Sequence, residues 1–364
     1  MRAGKVTIAL FSLSLGSGVA QVFEEELLDQ SPVALRKSGS QFATISIKRP
    51  EAVSDFKGLR ELNPKLPVAL AEIESLVEKG TVSKRFDLLF DEKAKYIQRQ
   101  KTLTALSNYN YYDCATIMDL VHPETGRRAL LIQAGMDVVT DGSDPDRVGE
   151  LEDYHTALTS DWFQPYTGYV WGRATKENPF ASYYDKRIGE LVELKAEVEK
   201  RNEELPIRAW RKVSEVCQEE IDYLNRVKRN NQWGLSNNPR SVVAALDPII
   251  VLPRNWFGKN SAINHGDYAL VVYGDRVIPT MVAEAGPTYK IGEASLRLAW
   301  KINKEASGKQ RAADAFSVSY VVFPGTRKAT RSEPDLAEIN QKVRSLAKEI
   351  GGLGKGAKYE AWED

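Results

Sequence analysis

The chain has few cysteines, and neither sign of charge is in excess. Cys114 and Cys217 are the only two cysteines among 364 residues, so a disulfide framework is excluded and at most one bridge could form. Lys plus Arg and Asp plus Glu both total 50, so no net field would draw the protein to nucleic acid or anionic lipid. We expect no nucleic-acid partner, and we interpret both cysteines as small buried hydrophobic residues.

Motifs for metals, phosphates and nucleophilic serines are also missing. His122, His155 and His265 are the three histidines, and they are scattered, whereas a zinc site needs closely spaced ligands. The chain has no glycine-rich phosphate loop and no nucleophile elbow. We therefore expect neither a metal nor a cofactor.

Long apolar runs are absent too, but the first twenty residues are typical of a secretory signal. Arg2 and Lys5 supply the positive charge, Val6 to Leu15 is apolar, and small residues precede Ala20. The apolar stretch is shorter than the ~20 residues that span a bilayer, so no membrane partner is expected. A buried N-terminal strand is the alternative. We predict a signal peptide over residues 1–20 and a secreted or periplasmic protein.

Helical and strand patterns alternate along the rest of the chain. Residues 21–107 form an extension without assignable chemistry, with helices predicted over Pro67 to Lys79 and Asp91 to Ser107. Branched and aromatic residues then predict a β-hairpin from Tyr109 to Gln133. Apolar residues three to four apart predict a helical hairpin over residues 185–229.

Strand patterns resume at Val242, and they are followed by a helix predicted over Pro334 to Glu349. The glycine-rich end from Gly351 onward is expected to fray. We interpret residues 108–330 as one discontinuous domain, with residues 331–364 as a C-terminal helix and tail. The fold class predicted is α+β, a central antiparallel β barrel or curved sheet, with a double-psi arrangement as one alternative, an inserted helical hairpin and helical flanks.

Two carboxylates stand on either side of a Gly-Pro turn. Glu284 follows an apolar strand, and Glu293 follows Gly292 after the turn at Gly286 and Pro287. Hydrolysis of a glycosidic bond needs one carboxylic acid and one carboxylate facing each other across a cleft. Such a pair is more often found on the solvated surface, so the spacing alone is a weak signal.

Several ordered motifs around this pair resemble the chitosanases of glycoside hydrolase family 75. The resemblance covers residues 108–330, and its motifs are Asp137-Val138, Asp141-Gly142-Ser143-Asp144, Val251-Leu252-Pro253, Gly266-Asp267, Gly292-Glu293-Ala294-Ser295 and Phe323-Pro324-Gly325. It implies inverting endo-hydrolysis of chitosan, the β-1,4-linked polymer of glucosamine. The two essential acids then fall on Glu293, as general acid, and Glu284, as general base.

The chain departs from the family pattern at one of these positions. Relatives usually carry Asp where this chain has Glu284, whose side chain is one methylene longer. Two alternatives stay open: a catalytically impaired glycan-binding protein, and a hydrolase of another β-1,4 amino-sugar polymer such as peptidoglycan. A third hypothesis gives the helices an assembly role, although a monomer is expected.

A chitosan cleft is expected to carry carboxylates for the substrate amines and aromatic faces for the sugar rings. The candidate substrate-binding residues are Asp137, Asp141, Asp144, Asp267, Trp162 and Trp171. The aspartates of the loop could instead ligate calcium or hold Asx turns. Asp267 is a reserve general base or a turn former, and the tryptophans could equally belong to the core.

Overall fold

The computed structural model describes a mixed α and β structure. The residues it describes are 24–27, 43–46, 49–99, 114–140, 142, 144–147, 168–200, 207–230, 232–259 and 261–363. The predicted signal peptide therefore lies outside the described residues. The α+β class predicted from the sequence is confirmed.

Helices and strands alternate along the described stretches. The strands are β1 (Glu24–Leu27), β2 (Ala43–Ser46), β3 (Thr81–Val82), β4 (Cys114–Val121), β5 (Arg128–Val139), β6 (Val170–Arg173), β7 (Pro239–Ser241), β8 (Ile249–Pro253), β9 (Tyr268–Tyr273), β10 (Arg276–Gly286), β11 (Glu293–Ser295), β12 (Ala313–Val322) and β13 (Lys358–Tyr359). The helices are α1 (Phe56–Leu62), α2 (Leu66–Ala69), α3 (Ile73–Lys79), α4 (Lys84–Gln98), α5 (Pro179–Lys200), α6 (Ile207–Asn230), α7 (Gln232–Asn237), α8 (Leu296–Ile302) and α9 (Leu336–Glu349).

Six strands close into a barrel in the order β11, β8, β10, β9, β12, β5, with β5 pairing back to β11. The predicted β-hairpin is present as β4 and β5, which pair antiparallel. The expectation of an antiparallel barrel is wrong at two seams, because β10 pairs β8 and β11 pairs β5 in parallel. Parallel neighbours need a long crossover connection, and local periodicity does not reveal one.

The two faces of the barrel sheet belong to two cores. One core takes side chains from all six barrel strands, including Ile132, Ile250, Val271 and Tyr320, and so fills the barrel. The other core covers the outer face, where α1, α2, α3 and α9 pack. Since side chains alternate along a strand, neighbours such as Leu131 and Ile132 enter different cores.

The helices before the barrel are packed against it. The helix expected over Pro67 to Lys79 is broken into α2 and α3, since Leu70 is extended. The helix expected from Asp91 begins earlier, at Lys84, because Ser83 caps it by accepting a hydrogen bond from the Arg85 N–H. The helix ends at Gln98, short of the predicted end at Ser107, and residues 100–113 lie outside the described part.

The helical hairpin expected over residues 185–229 is formed by α5 and α6. Ion pairs from Lys228 to Asp185 and from Arg187 to Glu220 join the two helices antiparallel. The strands that flank the hairpin in sequence, β6 and β7, pair with each other. Cys217 of α6 and Cys114 of β4 are both buried with free thiols, as the sequence interpretation expected.

The glycine-rich C-terminal end is part of the fold, and the expectation that it frays is wrong. Strand β13 pairs with β10 at its Arg276 end. Trp362 is 7 % exposed and donates a hydrogen bond from its indole N–H to the Pro279 carbonyl at 2.7 Å. Burial of this ring fixes the end of the chain to the barrel.

Candidate active site

The two glutamates singled out in the sequence flank one residue of the barrel. Glu284 of β10 and Glu293 of β11 are both paired with Val251 of the strand between them. On its other side Glu293 is paired with Asp137 of β5. Residues paired directly across neighbouring strands project to the same face of a sheet, so Glu284, Val251, Glu293 and Asp137 form one row.

The strand spacing sets the distances along this row. Neighbouring strands lie about 4.8 Å apart, so the Cα atoms of Glu284 and Glu293 are separated by roughly 10 Å. One carboxylate oxygen of Glu293 lies 3.1 Å from the point where a Cβ on Gly286 would stand. Since Gly286 is two residues from Glu284 on β10, the Glu293 carboxylate reaches over Val251 toward that strand.

Two glycines allow this close approach. A Cβ at Gly286 would stand 2.8 Å from the Val251 Cγ1 atom, and one at Gly292 would stand 2.8 Å from the Gly135 carbonyl oxygen. Gly292 also has a φ of 87°, which is costly for any residue with a side chain. Its carbonyl accepts a hydrogen bond from the Asp137 N–H at 2.7 Å. This bond seats Glu293 beside Asp137.

Burial and neighbouring charges act on Glu293 in opposite directions. Its side chain is 14 % exposed, and the Lys290 Nζ atom is 3.9 Å from its Oε1 atom. Burial raises the pKa of Glu293 and the charge of Asp137 adds to this, while Lys290 and Arg311 oppose it, so the pKa stands above its ordinary value. A carboxyl group with a raised pKa is suited to donate a proton.

Arg311 and Tyr320 complete the surroundings of the row. The Arg311 Nε atom lies 3.9 Å from an oxygen of Asp137, whose side chain is 17 % exposed. The Tyr320 hydroxyl donates to the Gly135 carbonyl at 2.8 Å. Burial raises the pKa of Tyr320 well above its ordinary value, so this hydroxyl stays protonated and acts as a hydrogen-bond donor.

Asp144 is not part of this site, which corrects its assignment as a substrate-binding residue. Its side chain is fully buried, and it accepts a hydrogen bond from the Arg240 Nε atom at 2.5 Å. Arg240 also contacts Glu333, which pairs with the Nε atom of Arg147 at 3.0 Å. Asp144 is thus held by an ion-pair network with no exposed surface of its own, so a solvated polymer has no access to its carboxylate.

Asp267 is also removed from the candidate substrate residues. It has no exposed surface, and its two carboxylate oxygens accept hydrogen bonds from the backbone N–H groups of Asn264 at 2.7 Å and Arg327 at 2.9 Å. The alternative interpretation of a turn former is the one that fits, because the carboxylate ties the loop after β12 to the loop before β9.

The remaining candidate residues are only partly described. Trp171 is half-buried, with its ring centroid 5.8 Å from that of Tyr169 and the Arg240 guanidinium 5.7 Å from its ring. It therefore belongs to the Arg240 network rather than to the row of carboxylates. Asp141 and Trp162 lie outside the described residues.

Sequence reasoning missed the loop contacts around Glu293. Thr288 donates from its hydroxyl to the Glu92 Oε2 atom at 3.0 Å, and Tyr289 stacks on Tyr96 with ring centroids 3.8 Å apart. Both partners belong to α4, in a segment to which the sequence assigned no chemistry. Only the spacing of Lys290 three residues before Glu293 could have been noticed in the sequence.

The described residues contain no group of three or more His, Cys, Asp or Glu side chains that could hold a metal ion. Among the same residues no helix is both long enough and apolar enough to cross a bilayer. The chain matches no family model and no curated protein.

Proposed function

We propose that the protein is a glycoside hydrolase that cleaves β-1,4-linked glucosamine polymer with inversion of configuration. The observation that carries the proposal is the pairing of Glu284 and Glu293 with the same residue, Val251. Inverting glycosidases hold their two carboxyl groups about 6.5 to 9.5 Å apart, which leaves room for a water beside the sugar. A Cα separation of roughly 10 Å on one face is compatible with that requirement.

The environment of Glu293 assigns the two roles. Glu293 is the general acid, because burial and Asp137 raise its pKa and keep it protonated at higher pH than an exposed glutamate. Glu284 is the general base that activates the attacking water. Asp137 adds negative charge beside the acid and faces the protonated amines of the substrate, which Coulomb attraction favours.

The resemblance to family 75 supports the choice of polymer, since Asp137 and Glu293 of this row occur within its motifs. A barrel of six strands with two parallel seams supports a double-psi topology as part of the proposal. We also propose that the protein acts outside the cytoplasm, because its first twenty residues have the pattern of a signal peptide.

Substitution of each carboxyl group tests the proposal. We expect Glu293→Gln to release no new reducing ends from chitosan, because Gln cannot donate the proton that the leaving oxygen needs. Glu284→Gln is expected to lose at least about 100-fold in kcat, the usual contribution of a general base. Glu284→Asp restores the residue of the family pattern and should keep measurable turnover.

The matched control is Glu124→Gln, which removes a carboxylate from an exposed turn. It should hydrolyse chitosan like the wild type. Turnover close to that of the wild type in Glu293→Gln would contradict the proposal. Wild-type protein that binds chitosan but releases no reducing ends would contradict it in favour of a glycan-binding protein. Hydrolysis of peptidoglycan fragments but not of chitosan would identify peptidoglycan, rather than chitosan, as the substrate.

A further inference from the structure

Helix α4 presents two different faces to the molecule. One face is buried, and its side chains recur three to four residues apart, as expected for one side of a helix: Phe86, Leu89, Phe90, Lys93 and Ile97. Phe86, Leu89 and Phe90 belong to the core that fills the barrel. This face therefore fixes α4 rigidly relative to the strands.

The other face of α4 touches the loop between the two glutamates. Glu92 and Tyr96 are one helical turn apart and so lie side by side. Glu92 accepts the hydrogen bond from Thr288, and Tyr96 stacks on Tyr289 with an interplanar angle of 17°. The consecutive residues 288 and 289 are thus each held by a separate side chain of one rigid helix.

This loop determines the position of the charged group nearest in sequence to Glu293. Lys290 follows Tyr289 directly, and its Nζ atom is 3.9 Å from the Glu293 carboxylate. We propose that Glu92 and Tyr96 are positioning residues, which hold the loop from Pro287 to Lys290 and thereby fix Lys290 against Glu293. The effect on catalysis rests on the proposed function, whereas the effect on the Glu293 carboxyl group does not.

The charges around Glu293 make this positioning measurable. The groups that act on its carboxyl come from three parts of the structure: Lys290 on the loop, Asp137 on β5, and Arg311 before β12. Tyr320 of β12 interacts with it as well, and Glu284 shares its face. Of these groups, only Lys290 is carried by the loop that α4 holds. If the loop is released, Lys290 no longer lowers the pKa of Glu293, which should rise.

Two charge-neutral substitutions test the proposal. Tyr96→Ala removes the stacking ring, and Thr288→Val removes the hydrogen bond to Glu92 with little change in shape. The Glu293 carboxyl is followed by carbon NMR titration of glutamate-labelled protein, and its signal is identified by its loss in Glu293→Gln. We expect the pKa of Glu293 to rise in both variants and further in the double variant.

Two controls separate positioning from general destabilisation. Tyr96→Phe keeps the stacked ring and should titrate like the wild type. Tyr183→Ala makes the same truncation on α5, where the ring packs on Tyr184, and it should leave the Glu293 titration unchanged. An unaltered Glu293 titration in folded Tyr96→Ala and Thr288→Val would overturn the proposal. Thr288 lies on a loop, so its variant decides the question if Tyr96→Ala does not fold.

Kinetics on chitosan provide a second readout. We expect Tyr96→Ala to lower kcat by about 10-fold or more with a smaller change in KM, because misplaced reacting groups slow the chemical step. The alkaline limb of the pH profile should move to higher pH with the pKa of Glu293. Wild-type protein without hydrolytic activity would refute the proposed function, while the NMR titration would still decide whether α4 positions the loop.

Discussion

Glu293 combines features that an exposed glutamate lacks. Its side chain is largely buried, it stands beside Asp137, and its carboxylate reaches over Val251 toward a glycine on β10. Each of these features has an energetic cost: burial penalises the charged form, a like charge adds to the penalty, and a glycine in a strand weakens it. A site that carries such costs is expected to lose function and gain stability when it is substituted.

The raised pKa of Glu293 predicts how substituting this residue changes the free energy of unfolding. Folding takes up a proton at the Glu293 carboxyl group. Its favourable contribution to the free energy of unfolding is therefore full below the ordinary pKa of 4.5, and it is lost as the pH rises through the higher pKa of the folded state. Glu293→Gln cannot ionise, and we expect it to raise the free energy of unfolding at neutral pH.

Urea unfolding at several pH values measures this difference. The advantage of Glu293→Gln should disappear in acid, where the wild-type carboxyl is protonated in both states. Glu124→Gln provides the comparison, because this side chain is exposed. If Glu293→Gln were less stable than the wild type at neutral pH, the ionised carboxylate would have to be stabilised in the fold.

Gly286 tests how closely the carboxylate approaches β10. In Gly286→Ala the added methyl group would meet the Val251 Cγ1 atom at 2.8 Å and the Glu293 Oε2 atom at 3.1 Å. We expect the carboxylate to be displaced and kcat on chitosan to fall by about 10-fold or more, since small misplacements of reacting groups are costly.

The matched control is Gly189→Ala in α5, where an added Cβ meets no atom within 4 Å. It should leave kcat unchanged and stabilise the helix by about 0.5–1 kcal/mol. Equal activity of the two alanine variants would show that Glu293 does not depend on the space at Gly286.

Burial separates the predicted site residues that lie in the row of carboxylates from those that do not. Glu284 and Glu293 were singled out from motifs on either side of a turn, and both lie in the row. Asp144 and Asp267 occur in equally suggestive motifs, but Arg240 and the backbone of Arg327 occupy their carboxylates. These partners are 96 and 60 residues away, so the local sequence carries no sign of them.

At the scale of elements, α4 and the C-terminal segment contribute more than their sequence patterns indicated. Periodicity identified the helical hairpin and the helix ending at Glu349, because a buried stripe on a helix recurs in the sequence. It could not show that α4 touches the loop between the glutamates, which is formed by single contacts of Glu92 and Tyr96. Nor could it show that two residues of a glycine-rich tail pair with β10.

Trp362 tests the anchoring of the C-terminal end. In Trp362→Ala the fold loses a ring that is 7 % exposed, its hydrogen bond to Pro279, and the contacts of Arg297 and Lys301 with its face. We expect a loss of about 3–5 kcal/mol in the free energy of unfolding, as for other buried aromatic rings.

Denaturant unfolding of Trp362→Ala beside Trp233→Ala measures the loss. Trp233 is 54 % exposed, so its truncation should change stability by no more than about 0.5 kcal/mol. If the two variants were equally stable, the tail would contribute little to the fold.

At the scale of the whole molecule, the barrel brings together residues that are far apart in the sequence. The row from Glu284 to Asp137 depends on two parallel seams, one between β10 and β8 and one between β11 and β5. Parallel registers join strands through long connections, so the alternation within each strand predicts a barrel or curved sheet but not which strands meet. The order of the motifs singled out Glu284 and Glu293, and only the closed barrel shows that their side chains lie on the same face of the sheet.

The anomeric configuration of the first product tests the central claim most directly, because it reports the arrangement of the two carboxyl groups. Wild-type protein is mixed with glucosamine oligomers, and the anomeric protons are followed by NMR before mutarotation. Two carboxyl groups on strands separated by β8 predict the α-anomer as the first product, since water attacks opposite the leaving group. The β-anomer as first product, or the absence of any product, would contradict the account.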